Sequence, residues 1–255
     1  MKRKNILITG ASSGLGAGMA REFAKQGCHL ALCARRTEKL AALETELKTK
    51  YPEQLFLVRP LDVTDVDEVF ETFQAFQKDF QAQGGQLDRV IVNAGIGRGG
   101  SLGKGLHVPN RETAMTNFCG ALTQMEAALS IFREQNSGHL VAVSSMSAFR
   151  GYPGAMNVYA ATKAGLKSMA EGARIEVHNK PITVTTLFPG YIQSEMTDSI
   201  GKPPPFMIPL EKGAKLLVKA INREPNTAIV PFWPWYAFKL LTSSLGPGTI
   251  RKLFG

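Results

Sequence analysis

The chain has 255 residues, 44% hydrophobic and 20% charged, a globular composition with enough apolar material for one sizeable core and too much for a disordered chain. No run reaches the ~18 apolar residues of a membrane span, and the opening Met1-Lys2-Arg3-Lys4-Asn5 lacks the apolar stretch expected of a secretory leader. The net charge of +9 would suit nucleic acid, an anionic membrane or an anionic cofactor, and residues 201–255 carry much of it, with eight basic against two acidic side chains.

In chain order, short apolar runs alternate with helical patterns. Lys4–Thr9 reads as a strand and Gly14–Gln26 as a helix. Cys28–Ala34 is a second strand. Thr37–Lys50 is a helix, with Thr37 as its expected cap and Leu40, Leu43 and Leu47 on its inner face. Leu55–Leu61 is a third strand. The helix Asp65–Ala82 places Val66, Val69, Phe73, Phe76 and Phe80 on one side. A long helix around Glu112–Gln135 separates strands Arg89–Asn93 and Leu140–Ser144. Val158–His178 is a further helix, Ile182–Phe188 a sixth strand and Ala228–Val230 a seventh. Loops are expected at Ile96–Pro109, which has five glycines, and at Gly190–Pro209, which contains Pro203-Pro204-Pro205.

This alternation predicts an α/β fold: a doubly wound parallel sheet of about seven strands with helices on both faces, in three layers. Ligands of such sheets bind at the carboxyl ends of the strands. Residues 1–230 read as one domain with a lid near 191–209, and 231–255 as an aromatic, basic extension. Cys28, Cys33 and Cys119 lie in apolar contexts and read as buried thiols in a reducing compartment, so the cytoplasm is expected. His29, His107, His139 and His178 have no metal-ligand spacing, and no basic recognition helix supports nucleic-acid binding.

Chemistry concentrates after the strands. Thr9-Gly10-Ala11-Ser12-Ser13-Gly14-Leu15-Gly16 joins the first strand to the first helix. Gly10 permits a sharp turn, and Gly14 and Gly16 permit close approach. The helix N-terminus offers N–H groups to a pyrophosphate, and Ser12 and Ser13 can cap the helix or bond phosphate oxygens. The second strand ends Ala34-Arg35-Arg36. An acid there would accept from the ribose of NAD, whereas two guanidiniums suit a 2′-phosphate, which favours NADP(H). Tyr159 and Lys163 lie four apart on one helical face. A nearby ammonium is expected to lower the phenol toward neutrality, fitting it for proton transfer at a carbonyl or alcohol.

With the Gly-x-x-x-Gly-x-Gly turn and Tyr159-x-x-x-Lys163, the chain resembles the short-chain dehydrogenase/reductase family, in its short single-domain Rossmann-type branch, over roughly residues 4–230. The resemblance implies a cofactor site of Gly10, Ser12, Ser13, Gly14, Leu15, Gly16, Arg35 with Arg36 supporting, Asp62, Val63, Asn93, Ala94, Gly95, Tyr159, Lys163, Pro189, Gly190, Ile192 and Ser194. Asn93 is also expected to tie neighbouring strands together. The family's substrate-holding serine stands thirteen residues before the tyrosine, where this chain has Met146. Among Ser144, Ser145 and Ser147, the local pattern matches Ser145, with one extra residue in Gly154–Val158. Asn117 matches an asparagine that interrupts a helix and holds a water relaying protons to Lys163. Expected substrate contacts are Ser145, Met146, Gly154, Met156, Tyr159 and Met196, with Phe206 and Met207 in the lid.

The reading is an NADP(H)-dependent oxidoreductase of an apolar ketone, aldehyde or secondary alcohol, needing no metal. A non-catalytic NADP-binding sensor or scaffold is the alternative. The family resemblance implies a homodimer or homotetramer. Residues 231–255, rich in aromatic and basic side chains without an acid, suit packing or an oligomer interface, a peripheral membrane contact, or a substrate flap. Pro231 and Pro234 are expected to prevent one continuous helix there.

Overall fold

The computed structural model describes residues 3–198 and 204–254. Its strands are β1 (Asn5–Thr9), β2 (His29–Ala34), β3 (Phe56–Pro60), β4 (Arg89–Val92), β5 (Gly138–Val143), β6 (Ile182–Pro189) and β7 (Thr227–Val230). All pair in parallel, in the order β3-β2-β1-β4-β5-β6-β7. The helices are α1 (Gly14–Lys25), α2 (Thr37–Lys50), α3 (Val66–Ala82), α4 (His107–Ala114), α5 (Gly120–Glu134), α6 (Met156–Glu176), α7 (Glu195–Asp198), α8 (Leu210–Ile221), α9 (Phe232–Ser244) and α10 (Pro247–Phe254). No helix among the described residues is long and apolar enough to cross a membrane.

Because successive strand residues point to opposite faces, the sheet builds two cores. Leu7, Val90, Leu140 and Val184 pack with Phe73, Phe76 and Phe80 of α3, Met125 of α5 and Leu166 of α6. Ile6, Leu32, Ile91 and Val141 pack with Phe23 of α1, Leu43 of α2 and Leu217 of α8. The predicted three-layer α/β/α arrangement is therefore present. Strand order reverses between β1 and β4, and the crevice at their carboxyl ends is where the two helix layers part.

Several local expectations are corrected. Arg36, not Thr37, stands at the N-cap of α2, with no side-chain cap bond. Asp65 instead caps α3 through Glu68 N–H, and Val66, on the first turn before the helix meets the core, is exposed. The helix expected around Glu112–Gln135 is two helices joined by a π turn at Met115–Cys119, where the resemblance set an interruption at Asn117, and the glycine loop ends earlier because α4 begins at His107. The wider π turn carries Cys119 to the surface, so only Cys28 and Cys33 are buried thiols. Strand β5 starts at Gly138, where a Cβ would lie 2.1 Å from the Phe132 ring.

The expected 190–209 loop contains α7 and a parallel bridge between Ile192 and Ile208, and its residues 199–203, including Pro203, lie outside the described residues. In the extension, Trp233 has extended φ/ψ (−99°, 137°) because the residue before a proline is driven out of the helical region. Helix continues beyond it and breaks again before α10.

At the opposite, amino end of the sheet lies a polar cluster with no counterpart in the sequence expectations. Arg89 is 2% exposed. Its guanidinium donates to His139 Nδ1 (2.8 Å), Asn222 Oδ1 (2.9 Å) and Glu224 Oε1 (3.3 Å). Arg3 Nε reaches the same Glu224 oxygen at 2.6 Å. Burial works to raise the Glu224 carboxyl, but the Arg3 hydrogen bond and charge outweigh it and hold the group at about 2. Burial keeps His139 neutral at ordinary pH.

Candidate active site

The glycine turn leaves β1 with Gly10 at φ +64° and enters α1 with Gly14 at φ +51°, both in the left-handed region that favours glycine. A Cβ on Gly16 would lie 2.3 Å from the Gly10 carbonyl oxygen, and one on Gly10 would lie 2.8 Å from Ala94 Cα. The turn is thus folded tightly on itself and pressed against the end of β4. Asn93 fixes that contact: its backbone N–H donates to Thr9 Oγ1 (3.0 Å) and its side chain to the Thr9 carbonyl (2.9 Å). The expected strand-tying role is present.

Ser13 is the N-cap of α1 yet makes no side-chain cap bond, so the first N–H groups of α1 have no capping acceptor from it. Instead Ser12 and Ser13 accept from Arg36, at 3.3 Å for Ser12. Arg36 Nη1 also bonds Glu195 of α7 at 2.6 Å, and Lys39 grips the other oxygen of that carboxylate. Those two cations hold Glu195 at about 2. Arg35, predicted as the principal phosphate ligand, is exposed with Nη1 3.9 Å from Asp62 Oδ2. Asp62 accepts from Thr64 N–H and hydroxyl, and Val63 is buried, its carbonyl and side chain meeting Gly120 where only a hydrogen fits.

Tyr159 and Lys163 lie on α6, whose Leu166 and Ala170 pack in the core on one face of the sheet. Lys163 is buried, and Nζ donates to the Val143 carbonyl at the end of β5 (2.9 Å). Burial pushes its ammonium down to about 8. Nζ lies 5.8 Å from the centre of the Tyr159 ring. The expectation that the lysine lowers the phenol is corrected: burial raises Tyr159, and the side chain that draws it back is Ser145, through hydrogen bonding. Desolvation dominates at the phenol, and one of the three ammonium donors of Lys163 is engaged by the Val143 carbonyl.

The three serines separate by environment. Ser144 is buried and donates to the Lys163 carbonyl at 2.8 Å. Ser147 is buried among Met146 and Ala148. Ser145, half-buried, is the one beside Tyr159, accepting also from Ser147 N–H at 3.1 Å. Asn117 sits inside the π turn, wholly buried, and clamps the glycine loop: it accepts from Ile96 N–H and donates to the Ile96 carbonyl, both at 2.8 Å. A Cβ on Gly95 would lie 3.1 Å from Asn117 Oδ1 and 3.5 Å from Lys163 Nζ, so Gly95, Asn117 and Lys163 meet at one point.

Ile192 and Ser194 follow β6, and Ser194 Cβ approaches the position a Gly14 side chain would take (3.3 Å), bringing the segment after β6 to the glycine turn. Met196 lies over Gly97, and Met146 belongs to a small core with Phe188 and Trp235. Gly154 (φ +65°) and Met156 lead into α6, and Phe206 is exposed. Three residues here escaped sequence reasoning. Lys39 and Glu195 are 156 positions apart, so no local pattern pairs them. Trp235 packs against Gly190 and Tyr191, with ring centres 5.4 Å apart to the tyrosine.

The residues fit a dinucleotide: a side-chain-free turn at a helix start, hydroxyls at Ser12 and Ser13, cations at Arg35, Arg36 and Lys39, and a lysine beneath Gly95. Comparison with known proteins agrees. The family model for short chain dehydrogenases matches residues 4–204. An uncharacterized oxidoreductase of Mycobacterium tuberculosis is 48% identical over 250 residues, 98% of this chain and 97% of that protein. A short chain dehydrogenase/reductase of Burkholderia phymatum in complex with NAD superposes with a TM-score of 0.82, at 20% identity over 99% of this chain and 96% of that one. ElxO with NADP bound gives 0.77 at 28% identity, over 89% and 97%. The parallel sheet, the glycine turn and these matches make the chain an oxidoreductase of the short chain dehydrogenase family, whose members work with a nicotinamide cofactor.

Proposed function

We propose that this protein is an NADP(H)-dependent oxidoreductase that interconverts an apolar ketone or aldehyde and its alcohol. The observation that carries the reading is the convergence of Tyr159, Ser145, Lys163 and Asn117 at the carboxyl ends of β4 and β5, beside the glycine turn. When bound, the nicotinamide supplies or accepts the hydride. In reduction, Tyr159 gives its hydroxyl proton to the substrate oxygen, and Ser145 holds that oxygen. Lys163, at about 8, is protonated near neutrality and can return a proton toward Tyr159. Asn117 holds Gly95–Ile96 over the lysine and supports the relay to solvent.

Ala34 followed by Arg35 and Arg36, with Lys39 one turn on, supports NADP(H) over NAD(H), and the NADP bound to ElxO is consistent with it. Asp62, Val63, Ala94, Pro189, Gly190, Ile192 and Ser194 line the remaining cofactor crevice in this reading. Met146, Gly154, Met156, Met196 and Phe206 supply an apolar substrate wall. An exposed apolar stripe at Met115, Phe118 and Leu122, on the π turn and α5, is the surface we assign to self-association, and the two buried thiols suit a reducing cytoplasm. The test is NADPH oxidation across a panel of apolar ketones and aldehydes, with NADH in parallel. Turnover with NADPH well above NADH supports the reading. Cofactor binding without turnover on any carbonyl sinks the catalytic part, and equal use of NADH sinks the cofactor part.

A further inference from the structure

Helix α9 is apolar on both sides. Trp235, Phe238 and Thr242 turn inward, where Trp235 packs edge-on to Phe238 and Tyr191. Phe232, Trp233, Tyr236, Leu240 and Leu241 turn outward and are 41–71% exposed. Phe232 and Tyr236 stack with ring centres 4.9 Å apart. A surface helix normally presents a polar outer face, so a second apolar stripe of this size needs an occupant.

The charges around the stripe say which one. A cleft of about 910 Å³ runs beside it, lined by Phe232, Tyr236 and Lys239 together with Lys167, Arg174 and Arg223, and with one acid, Glu171. Lys239 and Lys167 both sit against the Phe149 ring, at 4.1 and 5.4 Å from its centre. Arg251 and Lys252 on α10 are also exposed, and residues 231–255 contain no acid. A second copy docked through this face would set cations against cations.

We propose that α9 and its basic border dock on an anionic lipid bilayer. Trp233, Phe232, Leu240 and Leu241 enter the headgroup boundary, where aromatic rings are favoured, and Lys239, Lys167 and Arg223 meet the lipid phosphates. Since Trp235 locks α9 to Gly190 and Tyr191, docking holds the end of β6 close to the membrane.

The test is co-sedimentation of the full chain with vesicles of phosphatidylglycerol and phosphatidylcholine, against pure phosphatidylcholine, with tryptophan emission recorded. Two variants accompany it: Trp233→Ser with Leu240→Ser and Leu241→Ser, all exposed positions, and Lys167→Glu with Arg223→Glu on the basic border. The expected result is binding to the anionic vesicles that salt weakens, with a blue shift of emission. The triple variant should bind about a hundredfold more weakly or worse while keeping its melting temperature. The charge variant should lose anionic selectivity. No binding to phosphatidylglycerol vesicles overturns the proposal, as does a triple variant that binds like the parent. A triple variant whose only change is loss of an oligomer in size-exclusion chromatography would make the occupant a second copy.

Discussion

Gly190→Ala tests how α9 is joined to the end of β6. The Gly190 backbone lies outside the left-handed region, so alanine is not opposed by its φ, and the whole cost is steric. A Cβ there would lie 2.1 Å from Trp235 Nε1 and 2.2 Å from Cε2, far inside contact distance. The indole cannot swing aside cheaply, being 3% exposed and held among Tyr191, Phe206 and Phe238. Overpacking of this kind costs ~1–3 kcal/mol. Trp235→Ala alone should cost ~3–5 kcal/mol through the cavity it leaves. In the double variant the new methyl enters that cavity, so the two costs should not add, and the coupling should be ~1–3 kcal/mol. Urea unfolding of the four proteins measures it. Additivity within ~0.5 kcal/mol would refute the packing argument. The same set separates two reasons for the glycine: a double variant that regains stability but not NADPH affinity shows that the cofactor also needs Gly190.

Glu195 pairs with Arg36 and Lys39, two of the three cations that, with Arg35, the proposed function sets at the 2′-phosphate. These ion pairs are about half exposed and worth ~0.2–1 kcal/mol each, so Glu195→Gln should tighten NADPH two- to tenfold, roughly, and leave NADH within twofold. Equal changes for both cofactors in a fluorescence titration would contradict this. Glu224 is held at about 2 when folded against an ordinary 4.5, so it stabilises the fold above pH 4.5 and that contribution is lost as pH falls toward 2. Glu224→Gln should therefore cost on the order of 3 kcal/mol at pH 6 by leaving Arg89 without its carboxylate, with the gap to the parent closing in acid; a gap independent of pH would refute it. Asn117→Ala removes two hydrogen bonds to Ile96 at 2.8 Å, and should cost ~1–3 kcal/mol and speed proteolysis within residues 96–106. Unchanged cleavage there would remove its role as a loop clamp.

The sheet was legible in the sequence because a parallel strand buried on both faces must be a short apolar run, and seven such runs stand between helical patterns. The glycine turn was legible because its residues are local and each has a geometric reason. What escaped was of two kinds. Contacts between distant segments have no local signature: Glu195 with Lys39, Trp235 with Gly190, and Arg89 with Glu224 join elements remote in sequence. Burial also reversed a local electrostatic argument. Four-residue spacing brought Lys163 and Tyr159 to one face, as expected, but desolvation raises the phenol and the lysine is engaged by the Val143 carbonyl. The helix interruption at Asn117 was legible only through the family resemblance, because apolar periodicity alone reads Glu112–Gln135 as one helix; the π turn at Met115–Cys119 stands where that asparagine does.

The central claim is that Tyr159 moves the proton. Removing its hydroxyl in Tyr159→Phe leaves the ring, α6 and the Lys163–Val143 bond in place. Single-turnover reduction of a responsive carbonyl should then slow by ~10²–10⁴-fold, while NADPH, titrated by fluorescence on the same protein, binds within about threefold of the parent. Turnover within about tenfold of the parent, with NADPH bound normally, would contradict the account.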